Sequence, residues 1–283
     1  MAQAIGIDIG GTGIKGALVD LTTGELLSDR IKRPTPAGGE PDAIVKVVHT
    51  ILAELDGAAA EAPIGVCFPA IVRNGRTMSA ANVSKKWVGL AAEQLFERSL
   101  ARDITFVNDA DAAGYAESEF GAAKDVDGLV LMTTLGTGIG SAIIYRNLLV
   151  PNAELGHLDI GDRHDFETHA SNAVRERKEL SWKRWAALLQ IYYETLEFLF
   201  SPDLFIVGGG VSKHSDEFLP LLELDTPIVP AALRNNAGIL GAAALAAHGA
   251  GERYTQGAEQ LVRETNETAP VSGSSTPAQA AAE

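Results

Sequence analysis

The sequence has little cysteine and no long apolar run. Cys67 is the single cysteine in 283 residues, which rules out a disulfide within the chain and favours a reducing compartment. Its surroundings, residues 64–70, are apolar and indicate a core position. No apolar run reaches the about 18 residues of a membrane-spanning helix, and no basic and then apolar leader precedes the first strand pattern. We therefore expect a cytoplasmic protein without a membrane partner.

Basic residues are also scarce. Acidic residues outnumber them 37 to 23, and the formal net charge is −14. Proteins that bind nucleic acids or anionic membranes need a positive surface to displace counterions, so no nucleic-acid partner is expected. An anionic substrate must then be bound by basic side chains or N–H groups at its own site, because the overall charge of the protein would repel it. The length fits about two domains at roughly 100–200 residues each, and no short fixed repeat indicates a solenoid.

An apolar strand near the N-terminus runs into glycines. Residues 4–9 alternate apolar side chains around Asp8, and a second strand pattern follows at once, which predicts a hairpin over residues 4–20. Glycines in such a turn let the backbone approach an anion closely, and consecutive N–H groups can surround it. The predicted phosphate-binding residues beside Asp8 are Gly10, Gly11, Thr12, Gly13 and Lys15.

Two other functions are compatible with the glycine content of this loop. Residues 11–16 match the Gly-x-Gly-x-x-Gly dinucleotide fingerprint, but that fingerprint opens a helix, whereas this loop opens a strand. A glycine-rich hairpin with a purely structural role remains open from the segment alone, because glycine serves any tight turn.

Helix and strand patterns alternate along the chain in an α/β order. A third short strand is predicted near residues 26–31 and a helix over 42–55. Strands are predicted at 64–68 and 104–108, with a helix over 90–101 between them.

A second cycle then repeats the hairpin plan. A helix over 110–120 and a strand over 128–134 lead into glycines around Thr137 and Gly138, and another strand pattern follows. A third strand, 204–207, runs into Gly209 and Gly210, where a following helix could face an anion with its N-terminus.

The remaining patterns complete the predicted organisation. Apolar and aromatic residues recur every three and four positions over 181–200, which predicts a buried helix stripe. We expect a small N-terminal domain over 1–108, completed by a returning helix at about 239–250, and a large domain over 109–238. Residues 265–283 have the composition of a disordered tail.

Glycine loops after three strands suit an enzyme that holds a polyphosphate between two domains, since phosphoryl transfer depends mainly on positioning and charge stabilisation. On these motifs the chain resembles, from residue 4 to about 250, the sugar kinases of the hexokinase and actin superfamily, and specifically the ROK family. The resemblance implies an α/β, two-domain, actin-like ATPase (ribonuclease H-like) fold of hexokinase type, with a cleft between the domains.

The resemblance assigns roles to individual residues. It places Asp8 near Mg²⁺ on the donor phosphates, through water. It makes Asn108 a sugar ligand and Asp109 the general base, and a carboxylate at a strand end can accept the proton of an attacking hydroxyl. From local sequence alone, Asp109 could equally cap the helix that follows it.

Further polar residues match the sugar-binding motifs of the family. Glu154 and His157 stand as in its Glu-x-Gly-His motif, and Glu167 stands as in its Glu-x-x-Ala-Ser segment. Asn82 matches the asparagine that holds the sugar from the small domain. Without the resemblance, His157 would be read as a structural histidine.

The chain departs from the family at its zinc site. Many members bind zinc with the motif histidine and three cysteines, but no cysteine lies between His157 and Glu167. No structural zinc is therefore expected. A site made of nitrogen and oxygen ligands was considered as an alternative, from His157, His164, His169, Asp159 and Asp162.

Together with the segment from Asn82 to residue 89, this departure makes the chain similar to the polyphosphate glucokinases and polyphosphate/ATP glucomannokinases of the family. That similarity implies phosphorylation of glucose, or mannose, from inorganic polyphosphate or ATP. Lys85 and Lys86 could guide the polyanion, and a solvated lysine pair is the alternative.

Other function classes stay open. An ATP-only hexose kinase and a non-catalytic sugar sensor are alternatives. A repressor is not expected, because residues 1–4 cannot hold a DNA-reading helix-turn-helix module. Either a monomer or a homodimer is compatible with the sequence.

Overall fold

Two five-stranded sheets organise the chain. The structure is a computed structural model that describes residues 2–55 and 61–248. The strands are β1 Gln3–Ile9, β2 Gly13–Asp20, β3 Ile31–Pro34, β4 Ile64–Phe68, β5 Val72–Arg73, β6 Arg76–Thr77, β7 Thr105–Asn108, β8 Leu129–Leu135, β9 Ile139–Tyr145, β10 Leu148–Val150, β11 Leu204–Gly208 and β12 Ile228–Pro230. The helices are α1 Pro41–Leu55, α2 Ala92–Leu100, α3 Asp109–Phe120, α4 Glu167–Ala170, α5 Asn172–Arg177, α6 Trp182–Phe200, α7 Ser215–Phe218 and α8 Ala237–Ala247.

The two sheets share one plan. The first has the order β3-β2-β1-β4-β7 and the second β10-β9-β8-β11-β12. Each begins with an antiparallel hairpin, β1–β2 or β8–β9, and adds parallel neighbours beside its first strand. The predicted α/β fold of two similar halves is confirmed. The predicted domain boundary at 108/109 falls between the two sheets and stays a prediction.

Helix α8 contacts both the first sheet and α3, and close backbone packing makes this possible. A Cβ atom at Gly65 in β4 would lie 1.8 Å from the carbonyl oxygen of Ala242 in α8. On α8 itself, a Cβ at Gly241 would lie 1.7 Å from the carbonyl oxygen of Ala112 in α3. Glycine is therefore required at both contacts, since any side chain would overlap a backbone atom. The packing joins α3 to the first sheet through α8.

Each half has its own apolar core. One cluster joins the first sheet to α1 and α2, and another joins the second sheet to α6. Ser181 caps α6 through its side chain, as the predicted helix start requires. The predicted stripe on α6 is buried at Trp185, Leu189 and Tyr192, but Leu199 is 55% exposed. Cys67 is buried, which agrees with the predicted core position.

The third strand was predicted in the wrong place. Leu26 makes only an isolated bridge with Val19, and the strand that pairs with β2 is β3. The apolar pattern near 26–31 indicated a strand, but the antiparallel register with β2 decides which residues pair. The predicted tail 265–283 and the last two residues of the predicted returning helix lie outside the described residues. No helix among the described residues has both the length and the apolar character to cross a bilayer.

Candidate active site

A cleft of about 710 Å³ is lined by residues from both halves. The residues predicted to bind sugar or donor that line it are Asn82, Lys85, Asn108, Asp109, Thr137, Gly138, Glu154, His157, Glu167 and Gly209. The other predicted residues are outside its lining: Asp8, Gly10, Gly11, Thr12, Gly13, Lys15, Lys86 and Gly210. The fold thus collects residues from distant parts of the sequence around one cavity.

Asn108 and Asp109 lie where β7 ends and α3 begins. The Asn108 Oδ1 accepts hydrogen bonds from the N–H groups of Ala110 and Asp111, at 2.8 and 3.0 Å. Asn108 is therefore the N-cap of α3, and the capping role considered for Asp109 is wrong. The Asn108 Nδ2 also donates to the Ala70 carbonyl at 3.0 Å, which leaves one amide hydrogen for a ligand.

The Asp109 carboxyl is tuned toward neutral pH. Burial, together with a smaller effect of the negative charge of Asp8, raises its pKa to about 6. The N–H of Ala110, which donates to Asp109 at 3.0 Å, opposes the shift. A base with this pKa is ionised at pH 7 yet binds a proton more readily than an ordinary aspartate does.

We expect kcat/KM for the sugar to fall as the pH drops through about 6, tenfold per unit below that value, because only ionised Asp109 can accept a proton. The measurement is initial rate against pH with two donors whose terminal phosphates titrate differently, which separates donor ionisation from that of the protein. A profile that stays flat down to about pH 4.5, close to an ordinary aspartate, would contradict the assignment.

The first two glycine loops present backbone N–H groups. The hairpin turns close with hydrogen bonds from Gly10 N to Gly13 O and from Gly136 N to Gly138 O, both 3.0 Å. Among the described residues, no group accepts a hydrogen bond from the N–H groups of Gly11, Thr12, Thr137 and Gly138 in these turns. Open N–H groups in tight turns form anion-binding concavities.

Asp8 lies in β1 just before the first loop, and its charge acts on Asp109. Its Oδ2 accepts a hydrogen bond from the Lys15 Nζ at 2.7 Å, and both side chains are largely buried. Lys15 also contacts the Asn235 carbonyl at 3.5 Å. The charge of Lys15 is thus compensated by Asp8. An oxygen ligand near the base and the open N–H groups suits Mg²⁺, which binds few carboxylates and keeps several waters.

The predicted sugar ligands are oriented by contacts with other protein groups. The Glu167 Oε2 accepts the N–H of Ile139 at 2.8 Å, which fixes Glu167 beside the second glycine loop. His157 pairs through Nδ1 with the Asp165 Oδ1 at 2.7 Å, and its Nε2 is 3.9 Å from Glu154. The hydrogen bond to Asp165 raises the pKa of His157, and burial raises the pKa of Glu154.

Sequence reasoning missed Asp165. Its backbone has a φ of 53°, a conformation that non-glycine residues seldom adopt, and its N–H donates to the Asp159 Oδ1 at 2.8 Å. Asp165 therefore orients His157, although no motif marks it. The sequence shows only that acidic residues follow His157 closely, and several of them are equally plausible partners for the histidine.

Sequence reasoning also missed a link between the halves. The Asn152 side chain accepts from the N–H of Val72 and donates to its carbonyl, at 2.7 and 2.8 Å. The Asn152 N–H donates to Asp111, whose buried carboxyl has a pKa raised to about 8 by burial. These contacts position the loop before Glu154. They join residues 80 and 41 positions apart, so periodicity does not reveal them.

The oxygen and nitrogen site considered from sequence is not formed as proposed. His164 pairs with Asp159 at 2.9 Å on the surface, apart from the cleft lining. Among the residues that the structure describes, the group that could hold a metal is instead His157, Asp165 and Glu167, whose ligand atoms lie within 4.8 Å of one another. Each of these side chains already has a hydrogen-bond partner in the protein.

The paired lysines have different surroundings. Lys86 forms an ion pair with Glu40 at 2.8 Å, and this hydrogen bond raises the pKa of Lys86. Lys85 lines the cleft and donates to the Ala80 carbonyl at 3.2 Å. Their roles with a donor stay predictions. After the third glycine junction, residues Gly210–His214 form a short 3-10 helix, so the junction offers no long helix N-terminus.

Two matched hairpin sheets around a cleft, with a carboxylate at the end of a strand, define the actin-like ATPase fold of hexokinase type. The chain belongs to the ROK family, which matches residues 4–170.

Similar proteins of this family include sugar kinases. A polyphosphate glucokinase of Mycobacterium tuberculosis (strain CDC 1551 / Oshkosh) is 46% identical over 242 residues, covering 85% of this chain and 90% of the relative. The crystal structure of an inorganic polyphosphate/ATP-glucomannokinase from Arthrobacter sp. strain KM matches with a TM-score of 0.80 and 55% identity, over 86% of this chain and 97% of that one. A ROK family glucokinase from Streptomyces griseus, in complex with glucose and AMPPNP, matches with a TM-score of 0.75 and 25% identity, over 87% and 100%.

Proposed function

We propose that this chain transfers a phosphoryl group from inorganic polyphosphate, and also from ATP, to the 6-hydroxyl of glucose, with mannose as a second acceptor. The observation that carries the proposal is Asp109, a carboxylate with a pKa raised to about 6 at the edge of a cleft that both halves line. The names of the relatives at 46% and 55% identity support the same donors and acceptors.

The proposed reaction is an in-line displacement. The sugar oxygen forms a bond to the terminal phosphorus, the bridging P–O bond to the rest of the donor breaks, and the hydroxyl proton moves to Asp109. The leaving group is the rest of the donor, which is one phosphate shorter than before. The open N–H groups of Gly11, Thr12, Thr137 and Gly138 would stabilise charge on the transferring group. Mg²⁺ held through water near Asp8 would neutralise donor phosphate oxygens when bound.

The sugar would be held by the polar groups around the cleft. Asn108 has one amide hydrogen left after its structural bonds, and Glu154, His157 and Glu167 line the same cavity. Asn82 would contact the sugar from the first half, since it lines the same cavity. Glucose and mannose differ only at the 2-hydroxyl, which such polar groups can bind in either orientation.

The test is sugar phosphate formation from glucose or mannose with polyphosphate or ATP, each with and without Mg²⁺. We expect glucose 6-phosphate with both donors and a loss of at least about 10²-fold without Mg²⁺, because the metal supplies several kcal/mol of charge stabilisation. Sugar phosphate formed with ATP but not with polyphosphate would show an ATP-only kinase. Sugar binding without product from any donor would show a sensor and contradict the proposal.

A further inference from the structure

A lysine that the sequence motifs do not mark lies beside the first glycine loop. The strand register places Asp8 opposite Lys15 and Lys15 opposite Lys32, so the three side chains share one face of the sheet. Lys32 is exposed on the edge strand β3. Its Cε lies 3.3 Å from where a Cβ on Gly13 would be, so the lysine stem covers the glycine that ends the loop.

Lys32 also differs in charge compensation from the lysines near it. Asp8 compensates Lys15, and Glu40 compensates Lys86. Within residues 2–55 and 61–248, no side chain forms an ion pair or hydrogen bond with the Lys32 ammonium. In a chain with a net charge of −14, an uncompensated cation at a loop with open N–H groups is a local attraction for an anion.

The basic residues next to Lys32 in sequence lie on different faces of the sheet. Arg33, the next residue, pairs with Glu54 of α1 on the opposite face. Arg30 lies on the Lys32 side, where its Nη1 donates to the Asn236 Oδ1 at 2.9 Å. Lys32 and Arg30 therefore place positive charge at the edge of the face that carries Asp8 and Lys15.

We propose that Lys32 binds phosphate groups of a long polyphosphate behind the one being transferred. The inference rests on the proposed function, because it assumes a donor anchored near Asp8. Neighbouring strands lie about 4.8 Å apart, so the Lys32 backbone, two strands away, is roughly 10 Å from the Asp8 backbone, and the lysine stem reaches back over Gly13. A donor of three phosphates held at the glycine loops ends close to this stem, whereas a long chain continues past it and keeps further phosphates within reach of the ammonium. Lys32 therefore distinguishes long donors from short ones.

The experiment compares Lys32→Gln with the wild type, using long-chain polyphosphate, tripolyphosphate and ATP as donors and saturating glucose. We expect KM for long-chain polyphosphate to rise about 5-fold, the effect of one exposed charge contact of about 1 kcal/mol. The kcat and the KM values of the two short donors should stay within about 2-fold. The salt dependence of kcat/KM for the long donor should weaken, since one ionic contact is lost.

Two further variants complete the test. Lys32→Arg keeps the charge and should retain the wild-type KM. Lys183→Gln, at an exposed lysine of α6, is the matched control for loss of a lysine. An unchanged KM for the long donor in Lys32→Gln, or an equal rise with all three donors, would overturn the inference. The wild-type assay tests the proposed function separately, since failure there appears as no turnover of polyphosphate before any variant is made.

Discussion

Replacing Asp109 with asparagine is expected to lower kcat for sugar phosphorylation by at least about 10²-fold, the lower end of what a positioned general base contributes. The amide has nearly the same shape but cannot accept the hydroxyl proton. Asn108, which caps α3 and contacts Ala70, is untouched by the change. Sugar binding should therefore stay within about 3-fold, well under the 1.4 kcal/mol that a tenfold change represents. The measurements are steady-state kinetics and calorimetric titration with glucose.

The same variant should not be destabilised at pH 7. Because the folded-state pKa of Asp109 is raised to about 6 from 3.8, ionisation disfavours the fold above that pH, and the effect disappears below about pH 4. Asp109→Asn should accordingly melt at or above the wild-type temperature at pH 8, with a smaller difference at pH 4. The exposed Asp125 supplies a control, since Asp125→Asn should leave both properties unchanged. Turnover near the wild-type rate in Asp109→Asn would remove Asp109 from its proposed role.

Replacing Gly65 with alanine should destabilise the chain by at least about 3 kcal/mol, the upper part of the range for overpacking. The added Cβ would lie 1.8 Å from the Ala242 carbonyl oxygen, and a backbone atom cannot move aside as a flexible side chain can. Strand β4 or helix α8 would have to shift. Thermal unfolding should show a fall in Tm of about 6 °C or more for a chain of this size.

Gly210→Ala is the matched control for this change. No atom lies within 4 Å of where its Cβ would be, and its φ is not positive, so the melting temperature should change little. If Gly65→Ala had the same melting temperature as Gly210→Ala, the close contact between β4 and α8 would not exist in solution.

Local sequence patterns predicted the main elements well. Strand β4 and helix α6 were predicted within about one residue at each end, because buried strands are continuous apolar runs and helix stripes recur at three and four. The hairpin of β5 and β6 was missed. Its strands are two residues each, too short for any alternation to show. The misplaced β3 shows the same limit, since register with β2 chose the paired residues.

The candidate site was predicted through motifs, and its surroundings were not. Asp109, Glu154 and Glu167 line one cleft as the motifs imply. Asp165, which orients His157, and Asn152, which ties the second half to Val72, carry no motif. Their roles come from hydrogen bonds to partners that the chain brings close only when it folds.

By itself, the sequence determined the order of helices and strands, the two glycine hairpins and the carboxylate that follows β7, because these depend on local periodicity and residue type. Tertiary structure decided which charges remain available. It paired Lys15 with Asp8 and Lys86 with Glu40, and among the described residues it gave Lys32, beside the glycine loop, no ion-pair partner. Burial between the halves raised the pKa of Asp109. Ion pairing and desolvation depend on distances across the fold, which no single segment of sequence contains.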